Sequence, residues 1–287
     1  MYTKNNVLIK LENDLERRGY SNQSKKRYEY IVNSFIDYIN SIGINKNIDD
    51  YDEYDVIKYL EFLKKKRNYK NSSYNNVNSI LKFFLEVTLE KDIGYRRLPN
   101  RKVEIRKKAR PDRNTILKII NGTNNLKHKC WYSLAYGSGL RVSEIARLKV
   151  KNVDSINMKI TVIGKGNKER ITVLPKITLE ILKKYVKESN ITKKEEYLFK
   201  GQNKREFIHE GSISRSLSDI VKKLNLNKDI TMHSLRRSFA THLLRDNNIN
   251  IEIVKELMGH NSITTTSGYI EYVYKKLKIK NPLDMDF

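Results

Sequence analysis

The chain has 287 residues, a length that predicts about two domains and suffices for a proper hydrophobic core. Lysine and arginine number 57 against 33 aspartates and glutamates, and this net charge of +24 predicts a polyanionic partner, nucleic acid rather than a membrane surface. The single cysteine, Cys130, excludes a disulfide framework and a multi-cysteine zinc site, and no apolar run is long enough for a transmembrane helix. Because the first residues also lack the layout of a signal peptide, we expect a cytoplasmic, nucleoid-associated protein without membrane contact.

The first 95 residues are nearly neutral and carry apolar residues at helical spacing. We predict a short first helix, a second from the N-cap Ser21 to Gly43, a third over residues 52–67 and a fourth after Asn71. The connections between these helices are short. Residues 1–95 are therefore predicted to form an all-α domain, a small four-helix bundle.

The basic segment, residues 96–111, follows this bundle and carries eight cations against one acid, with Pro99 and Pro111 near its ends. A run of this kind is often only a solvated linker. Here it joins two periodic regions, and the apolar Val103 and Ile105 would anchor it against a neighbour. We therefore predict a flexible linker whose cations contact phosphate groups. These cations are Arg96, Arg97, Arg101, Lys102, Arg106, Lys107, Lys108 and Arg110.

Residues 112–287 have a mixed pattern. The segments 159–163 and 169–174 alternate like strands around the glycine-rich stretch 164–168, which predicts a β-hairpin. The predicted fold class is therefore mainly α with a small antiparallel β-sheet, that is α+β, in this C-terminal domain. Helical spacing predicts the remaining elements near residues 112–121, 125–137, 176–188, 212–224, 233–246 and 251–258, with a last stretch past 262.

Arg141 follows a glycine turn and precedes a helix whose predicted N-cap is Ser143. Glu144 would lie in the first turn of that helix, where the helix dipole favours an acid. A cation at the same positive end is unfavourable unless an anion such as a phosphate meets it. An arginine near a glycine turn also often has only a structural role, so this motif alone leaves both interpretations open.

Lys165 lies in the tip of the predicted hairpin, in the sequence Gly-Lys-Gly. This sequence does not extend to a phosphate-binding loop motif, and a strand follows where that motif requires a helix. Lys165 is thus either an ordinary turn lysine or, on a mobile hairpin, an acid that protonates a leaving oxygen.

His233 and Arg236 are three residues apart on one face of a predicted helix, where they offer a proton shuttle beside an anion clamp. The histidines of the chain lack the usual spacing of metal ligands, so no metal site is predicted.

His260 and Tyr269 are nine residues apart, about 2.5 turns of an ideal helix, which places them on opposite faces. They converge only if the backbone breaks between them, and a single tyrosine among 18 is by default a packing residue.

The order of these residues is more informative than any one of them. Along the chain they are Arg141, Lys165, His233, Arg236, His260 and Tyr269. With these residues in this order, the chain resembles the tyrosine recombinase family, the phage integrases and Xer-type site-specific recombinases. The amino-acid sequence also resembles that family at residues 138–145, 163–170, 233–242 and 257–260. Glycines at 259 and 268 stand where the backbone breaks would be needed.

The resemblance implies three parts. Residues 1–95 would be a core-binding, SAM-like DNA-binding domain, residues 96–111 the basic linker, and residues 112–287 the catalytic domain with its C-terminal tail. The implied reaction cleaves and rejoins DNA strands through a 3′-phosphotyrosyl intermediate, without ATP, metal or another cofactor. It would serve integration, excision or chromosome-dimer resolution.

Each reactive residue has an implied role. Tyr269 would be the nucleophile, and Arg141 and Arg236 would clamp the non-bridging oxygens of the DNA phosphate. The supporting roles are a hydrogen bond from His260 to that oxygen, proton shuttling by His233, protonation of the 5′ oxygen by Lys165, and orientation of Arg141 by Glu144.

The implied partner is double-stranded DNA with paired inverted arms, bound by a homodimer at each site and by a tetramer in synapsis. Two other functions stay open. A type IB topoisomerase would share the chemistry and relax DNA without synapsis. A non-catalytic regulator would use residues 233–258 as a helix-turn-helix, which does not explain Arg141, Lys165 and Tyr269.

Overall fold

The computed structural model describes residues 2–43, 46–93, 97–104, 109–164, 169–202, 205–246, 249–259 and Leu283. The chain divides into two compact units, residues 1–106 and 107–287. Each unit has a hydrophobic core of its own. None of the described helices is long and apolar enough to cross a lipid bilayer.

The first unit contains the four predicted helices, and its all-α fold is confirmed. They are α1 (Lys4–Arg17), α2 (Asn22–Ser41), α3 (Glu53–Arg67) and α4 (Asn71–Phe83), with a 3-10 turn at Ile48–Asp50 and a π-helical turn at Phe84–Thr88. Ser21 is the N-cap of α2, as predicted, because its side chain accepts a hydrogen bond from the backbone N–H of Ser24.

The core of this unit is built around Phe35 of α2, which is fully buried. Its ring centroid lies 5.6 Å from that of Tyr51, 5.5 Å from that of Tyr59 and 6.5 Å from that of Phe84. All three pairs are edge-on or tilted, the geometry that aromatic rings prefer. These partners come from the α2–α3 connection, from α3 and from the turn after α4, so one side chain joins three parts of the unit.

Asparagine side chains of α4 hold the described part of the basic segment, residues 97–104, along that helix. The side chain of Asn75 donates to the carbonyl of Arg101 and accepts from its N–H, both at 2.8 Å. Asn71 donates to the carbonyl of Lys102 at 2.8 Å. Together with Asn78, these residues form an asparagine clamp. The prediction of a flexible linker is therefore wrong for residues 98–102.

The apolar anchor of the basic segment is Leu98. It is buried, and its carbonyl accepts a hydrogen bond from the side chain of Asn78 at 3.0 Å. Val103, the predicted anchor, is 43% exposed, so that prediction is wrong. The physical reason is its position beyond Lys102, the last residue that the asparagine clamp holds. Ile105 lies outside the described residues.

The second unit is α+β, as predicted, with seven described α-helices and a three-stranded antiparallel sheet. The helices are α5 (Arg113–Asn121), α6 (Leu126–Gly137), α7 (Val142–Ala146), α8 (Lys176–Glu188), α9 (Glu210–Lys223), α10 (Met232–Asp246) and α11 (Ile251–Met258), with a 3-10 turn at Val150–Asn152. The strands are β1 (Val153–Asp154), β2 (Lys159–Ile163) and β3 (Glu169–Val173), in the order β1-β2-β3. The predicted β2–β3 hairpin is confirmed, while four of the five residues of its tip, 165–168, lie outside the described residues.

Helix α6 is the centre of the second unit. Its residues 130–137 are all buried, so this part of the helix has no solvated face. It packs against α5, α8, α9 and α10. A Cβ on Gly137 would lie 2.7 Å from the ring of Pro175 and 3.0 Å from Leu283, which is buried in the same core.

The register of the hairpin decides which side chains of β3 face the core. Ile160 pairs with Thr172 and Val162 pairs with Arg170, and paired residues point to the same face of a sheet. All four are buried. Thr172 donates to the carbonyl of Ser138 at 2.8 Å, so this face of β3 lies against the turn that precedes α7.

The predicted N-cap at Ser143 is wrong. Helix α7 begins at Val142, so Ser143 lies inside the helix and Arg141 occupies the N-cap position. The carboxylate of Glu144 accepts from the backbone N–H of Arg141 at 2.7 Å. This is one half of a capping box, and it satisfies the N-cap amide without a serine.

Replacing Asn75 with alanine should loosen the basic segment from α4, because both hydrogen bonds to the backbone of Arg101 are lost. We expect the free energy of unfolding to fall by about 1–3 kcal/mol in urea denaturation. Amide hydrogen exchange at Arg101 should become faster. The matched control is Asn40→Ala on the exposed surface of α2. Equal exchange at Arg101 in the two variants would contradict the asparagine clamp.

Candidate active site

Glu144, in the first turn of α7, is a buried carboxylate surrounded by arginines, with its side chain 3% exposed. Arg141 donates to it twice, from the backbone N–H to Oε2 at 2.7 Å and from Nη1 to Oε1 at 2.8 Å. Arg170 binds it in bidentate fashion, from Nη1 to Oε1 at 2.5 Å and from Nη2 to Oε2 at 2.7 Å. A carboxylate has about four acceptor positions, so Glu144 is saturated by these two residues.

Arg236 of α10 is the third arginine, and its side chain is 1% exposed. Its Nη1 lies 3.6 Å from Oε2 of Glu144, an ion pair without a hydrogen bond. Nη1 donates to the carbonyl of Gly139, and Nη2 donates to the carbonyl of Met258. Gly139 has a φ of +64°, and a Cβ there would lie 2.5 Å from the ring of Phe239. Only glycine therefore permits this carbonyl to face Arg236.

Three guanidinium groups donate to three consecutive carbonyls at the C-terminal end of α11. The pairs are Arg170 Nε with Leu257 at 3.1 Å, Arg236 Nη2 with Met258, and Arg141 Nη2 with Gly259 at 3.3 Å. The C-terminal end of a helix has unpaired carbonyls and a partial negative charge, so it stabilises cations. We call Arg141, Arg170 and Arg236, with Glu144, the arginine cluster.

Burial and charge oppose each other in the arginine cluster. Burial by itself would raise the pKa of Glu144, but the hydrogen bonds and charges of Arg170 and Arg141 outweigh it and lower the pKa to about 2. Burial lowers the pKa of Arg236 to about 9, and repulsion by Arg141 acts in the same direction while Glu144 opposes it. At neutral pH the cluster therefore has three positive charges and one negative charge.

The arrangement suits an oxyanion that approaches from the side of Arg141. The Arg141 side chain is 35% exposed, against 7% for Arg170. Two surplus positive charges, held in place before the anion arrives, stabilise negative charge that develops on a phosphate group. No three histidine, cysteine, aspartate or glutamate side chains among the described residues are placed to hold a metal ion.

The structure brings Arg141, Glu144 and Arg236 together, three of the seven predicted catalytic and supporting residues. His233 lies near the start of α10, three residues before Arg236, and is exposed. Thr231 accepts from the backbone N–H of Ser234 at 3.2 Å, which satisfies an amide of the first turn of α10. The other predicted residues, Lys165, His260 and Tyr269, lie outside the described residues.

Four of the eight predicted linker cations are described. Arg97 pairs with Glu53, and the guanidinium carbon of Arg101 lies 4.1 Å from the ring centroid of Tyr74. Lys102 and Arg110 are exposed. The other four, Arg96, Arg106, Lys107 and Lys108, lie outside the described residues.

Sequence reasoning missed Arg170. In β3 the apolar residues Ile171 and Val173 alternate with it, which by itself indicates that Arg170 points to solvent. The pairing of the two strands in the predicted hairpin indicates the opposite, that Arg170 points to the core. A five-residue tip places Arg170 opposite Val162, on the face where β2 has its own apolar residues.

Comparison with known families identifies the class of this protein. The phage integrase family model matches residues 110–276, and the model of the phage integrase N-terminal SAM-like domain matches residues 8–95. The first match covers more than half of the chain. The chain therefore belongs to the phage integrase family.

Individual proteins are similar to this chain over part of its length. The tyrosine recombinase of Thermosipho africanus (strain TCF52B) is 37% identical over 158 residues, 55% of this chain and 54% of the relative. The tyrosine recombinase XerA of Pyrococcus horikoshii (strain OT-3) is 35% identical over 168 residues, 57% of this chain and 56% of the relative. The chain thus matches about half the length of these relatives.

The fold is also similar to that of a solved structure, a lambda integrase tetramer bound to a Holliday junction. The TM-score is 0.67 with 21% sequence identity, and the likeness covers 92% of this chain and 79% of that chain. At this level of identity the similarity concerns the fold.

The lowered pKa of Glu144 predicts a loss of stability in acid. Its pKa is about 2 in the folded chain and 4.5 ordinarily, so its stabilisation is complete above pH 4.5 and is lost as the pH falls towards 2. The loss should be on the order of 3 kcal/mol. Urea denaturation between pH 7 and pH 2 measures it.

The Glu144→Gln variant should lack this part of the pH dependence, because the amide does not titrate. The same change at exposed Glu29 of α2 is the control and should keep the wild-type profile. Parallel acid profiles for the wild type and the Glu144→Gln variant would contradict the prediction.

Proposed function

We propose that this protein is a site-specific DNA recombinase that cleaves and rejoins strands through a 3′-phosphotyrosyl intermediate. The observation that carries this proposal is the arginine cluster. The cluster has two surplus positive charges and is exposed to solvent at Arg141. Its arginines bind carbonyls at the end of α11, which directly precedes His260 in the chain. Family membership and the names of the two relatives, both tyrosine recombinases, support the same reaction.

The reaction requires an activated phenol, since a tyrosine has an ordinary pKa of about 10. We assign the phenol oxygen of Tyr269 to the attack on phosphorus, with His233 taking its proton. Arg141 and Arg236, with a hydrogen bond from His260, would stabilise the negative charge of the pentacoordinate state. As the bond between phosphorus and the 5′ oxygen breaks, Lys165 would protonate that oxygen.

This cycle conserves the phosphodiester bond energy in the phosphotyrosyl link. A 5′ hydroxyl of a second strand then reverses the attack, so neither ATP nor a metal ion is part of the proposal. Exchange between two duplexes requires a protomer at each of four strands, which leads to a dimer on each pair of inverted arms and a tetramer in synapsis. The solved lambda integrase structure, a tetramer on a Holliday junction, supports this assembly by its similar fold.

In this proposal the three predicted segments of the chain have different roles. Residues 1–95 would be the core-binding domain, residues 96–111 the basic linker and residues 112–287 the catalytic domain, acting on DNA in the cytoplasm. Within the basic segment, Arg97, Lys102 and Arg110 are exposed, and because Arg97 is already paired with Glu53, we assign Lys102 and Arg110 to phosphate groups. Arg97 and Arg101 have protein partners, Glu53 and Tyr74.

Trapping on nicked DNA tests the proposed reaction. On duplexes with a randomised sequence and a nick beside the cleaved bond, the short fragment that carries the new 5′ hydroxyl dissociates, so the phosphotyrosyl adduct accumulates. We expect wild-type protein to give an SDS-resistant adduct and Tyr269→Phe to give none, because only the phenol oxygen attacks. The control Tyr30→Phe, at an exposed tyrosine of α2, should give the wild-type amount.

Sequencing of the trapped DNA separates the remaining interpretations. A recombinase should enrich one sequence with inverted arms. Adducts without sequence preference would indicate a topoisomerase, and wild-type protein that forms no adduct would indicate a non-catalytic DNA-binding regulator. Either result contradicts the proposal.

Neutralising the exposed linker cations should weaken the salt dependence of DNA binding. In a plot of log affinity against log salt concentration, Lys102→Ala and Arg110→Ala should each reduce the slope by about 1, because each removes one phosphate contact. Fluorescence anisotropy with a duplex at several salt concentrations measures the slope. Lys187→Ala, at an exposed lysine of α8, is the control. An unchanged slope in both linker variants would show that these cations do not reach the phosphates.

A further inference from the structure

Arg170 is the arginine of the cluster to which the proposed reaction assigns no role. It lies on the inner face of β3, and its side chain is 7% exposed. Nη1 and Nη2 donate to Glu144, and Nε donates to the carbonyl of Leu257. Three of the five N–H donors of its guanidinium group thus bind protein atoms, and these contacts give Arg170 a route to act through Glu144 and the end of α11.

The bidentate pair with Arg170 limits how Arg141 binds Glu144. Two of the four acceptor positions of the carboxylate are taken by Arg170, and the backbone N–H of Arg141 takes a third. One position is left for the Arg141 guanidinium, which uses Nη1 alone. Without Arg170, Arg141 would be free to form a two-point pair with Glu144 and to turn inward, since bidentate pairs are the stronger ones. Arg170 therefore keeps Arg141 turned towards the exposed side.

Arg170 also ties Glu144 to the end of α11. A Cβ on Gly259 would lie 2.6 Å from Cδ of Arg170, so the arginine side chain passes directly against the backbone of Gly259. Gly259 has a φ of +61° and ends α11 in the left-handed conformation. Both constraints require glycine at this position. One arginine side chain thus links the N-terminal end of α7 to the last residues before His260.

We propose that Arg170 is a positioning residue of strand cleavage, which keeps Arg141 directed at the DNA phosphate and fixes the end of α11 from which His260 follows. This inference rests on the proposed recombinase function. It predicts that Arg170 affects the rate of cleavage and not the affinity for DNA.

The test uses the full-length protein and the nicked duplex recovered from wild-type adducts. We compare Arg170→Met, which removes the charge, Arg170→Lys, which keeps it without the two-point geometry, and the control Arg147→Met at an exposed arginine after α7. At saturating protein, Arg170→Met should form the adduct about 100-fold more slowly, because a small displacement of catalytic groups has an effect of this size. Its dissociation constant should change less than about threefold, and Arg170→Lys should be intermediate in rate.

The pH profile of cleavage separates positioning from a general loss of structure. The charged groups that face Glu144 are Arg141 at the N-cap of α7, Arg170 on β3 and Arg236 on α10. Removal of Arg170 takes two hydrogen bonds from a buried carboxylate, so the part of the acid limb that Glu144 contributes should move to higher pH. The double variant Glu144→Gln/Arg170→Met should lack this part of the acid limb, because residue 144 then has no carboxylate to titrate.

Each result has a defined meaning. Wild-type cleavage rates in Arg170→Met would overturn the inference, and so would a slower rate accompanied by lower melting temperature and an unmoved acid limb. If Arg170→Met does not fold, Arg170→Lys decides, and its cleavage at the wild-type rate would overturn the inference. A wild-type protein without any adduct would instead contradict the proposed function itself.

Discussion

Glu144 holds three guanidinium groups together, two of them buried, at distances where like charges repel each other. A single carboxylate offsets only one of the three charges. The carbonyls at the end of α11 add stabilisation, because each of the three arginines donates to one of them, and Arg236 also donates to the carbonyl of Gly139. The candidate site thus depends on a carboxylate at a helix N-terminus and on carbonyls at a helix C-terminus, which meet around the arginines.

The same arrangement explains why the site suits phosphate chemistry. A charged cluster whose parts are already bonded to the protein does not need to reorganise when an anion arrives, so more of its electrostatic energy acts on the reacting group. Replacement of one member would leave the others as buried, partly unpaired charges, which is more costly than the absence of the whole network. The glycines Gly139 and Gly259 belong to this network, since each presents a carbonyl to an arginine from a backbone conformation that other residues resist.

The first unit holds the beginning of the strongly basic segment in a defined position. The asparagine clamp of α4 binds the backbone of residues 98–102 and leaves charged side chains such as Lys102 exposed. Because the asparagines recognise backbone groups, they fix the path of the segment without neutralising its cations. A nearly neutral helical domain thereby presents local positive charge at a defined place.

The amino-acid sequence by itself determined the helices, the hairpin and the fold class, because these follow from local spacing of apolar residues, and family membership follows from the order of the motifs. It also singled out Arg141, Glu144 and Arg236, although their contacts join residues more than ninety positions apart. The N-cap at Arg141, in place of the predicted Ser143, depends on a local hydrogen bond to Glu144, whereas only the tertiary structure decided that Arg170 lies inside the cluster. Local alternation places Arg170 towards solvent, whereas a buried carboxylate from a distant helix determines its actual direction. For the same reason Leu98 is buried and Val103 is exposed, since the asparagine side chains that hold the segment belong to α4.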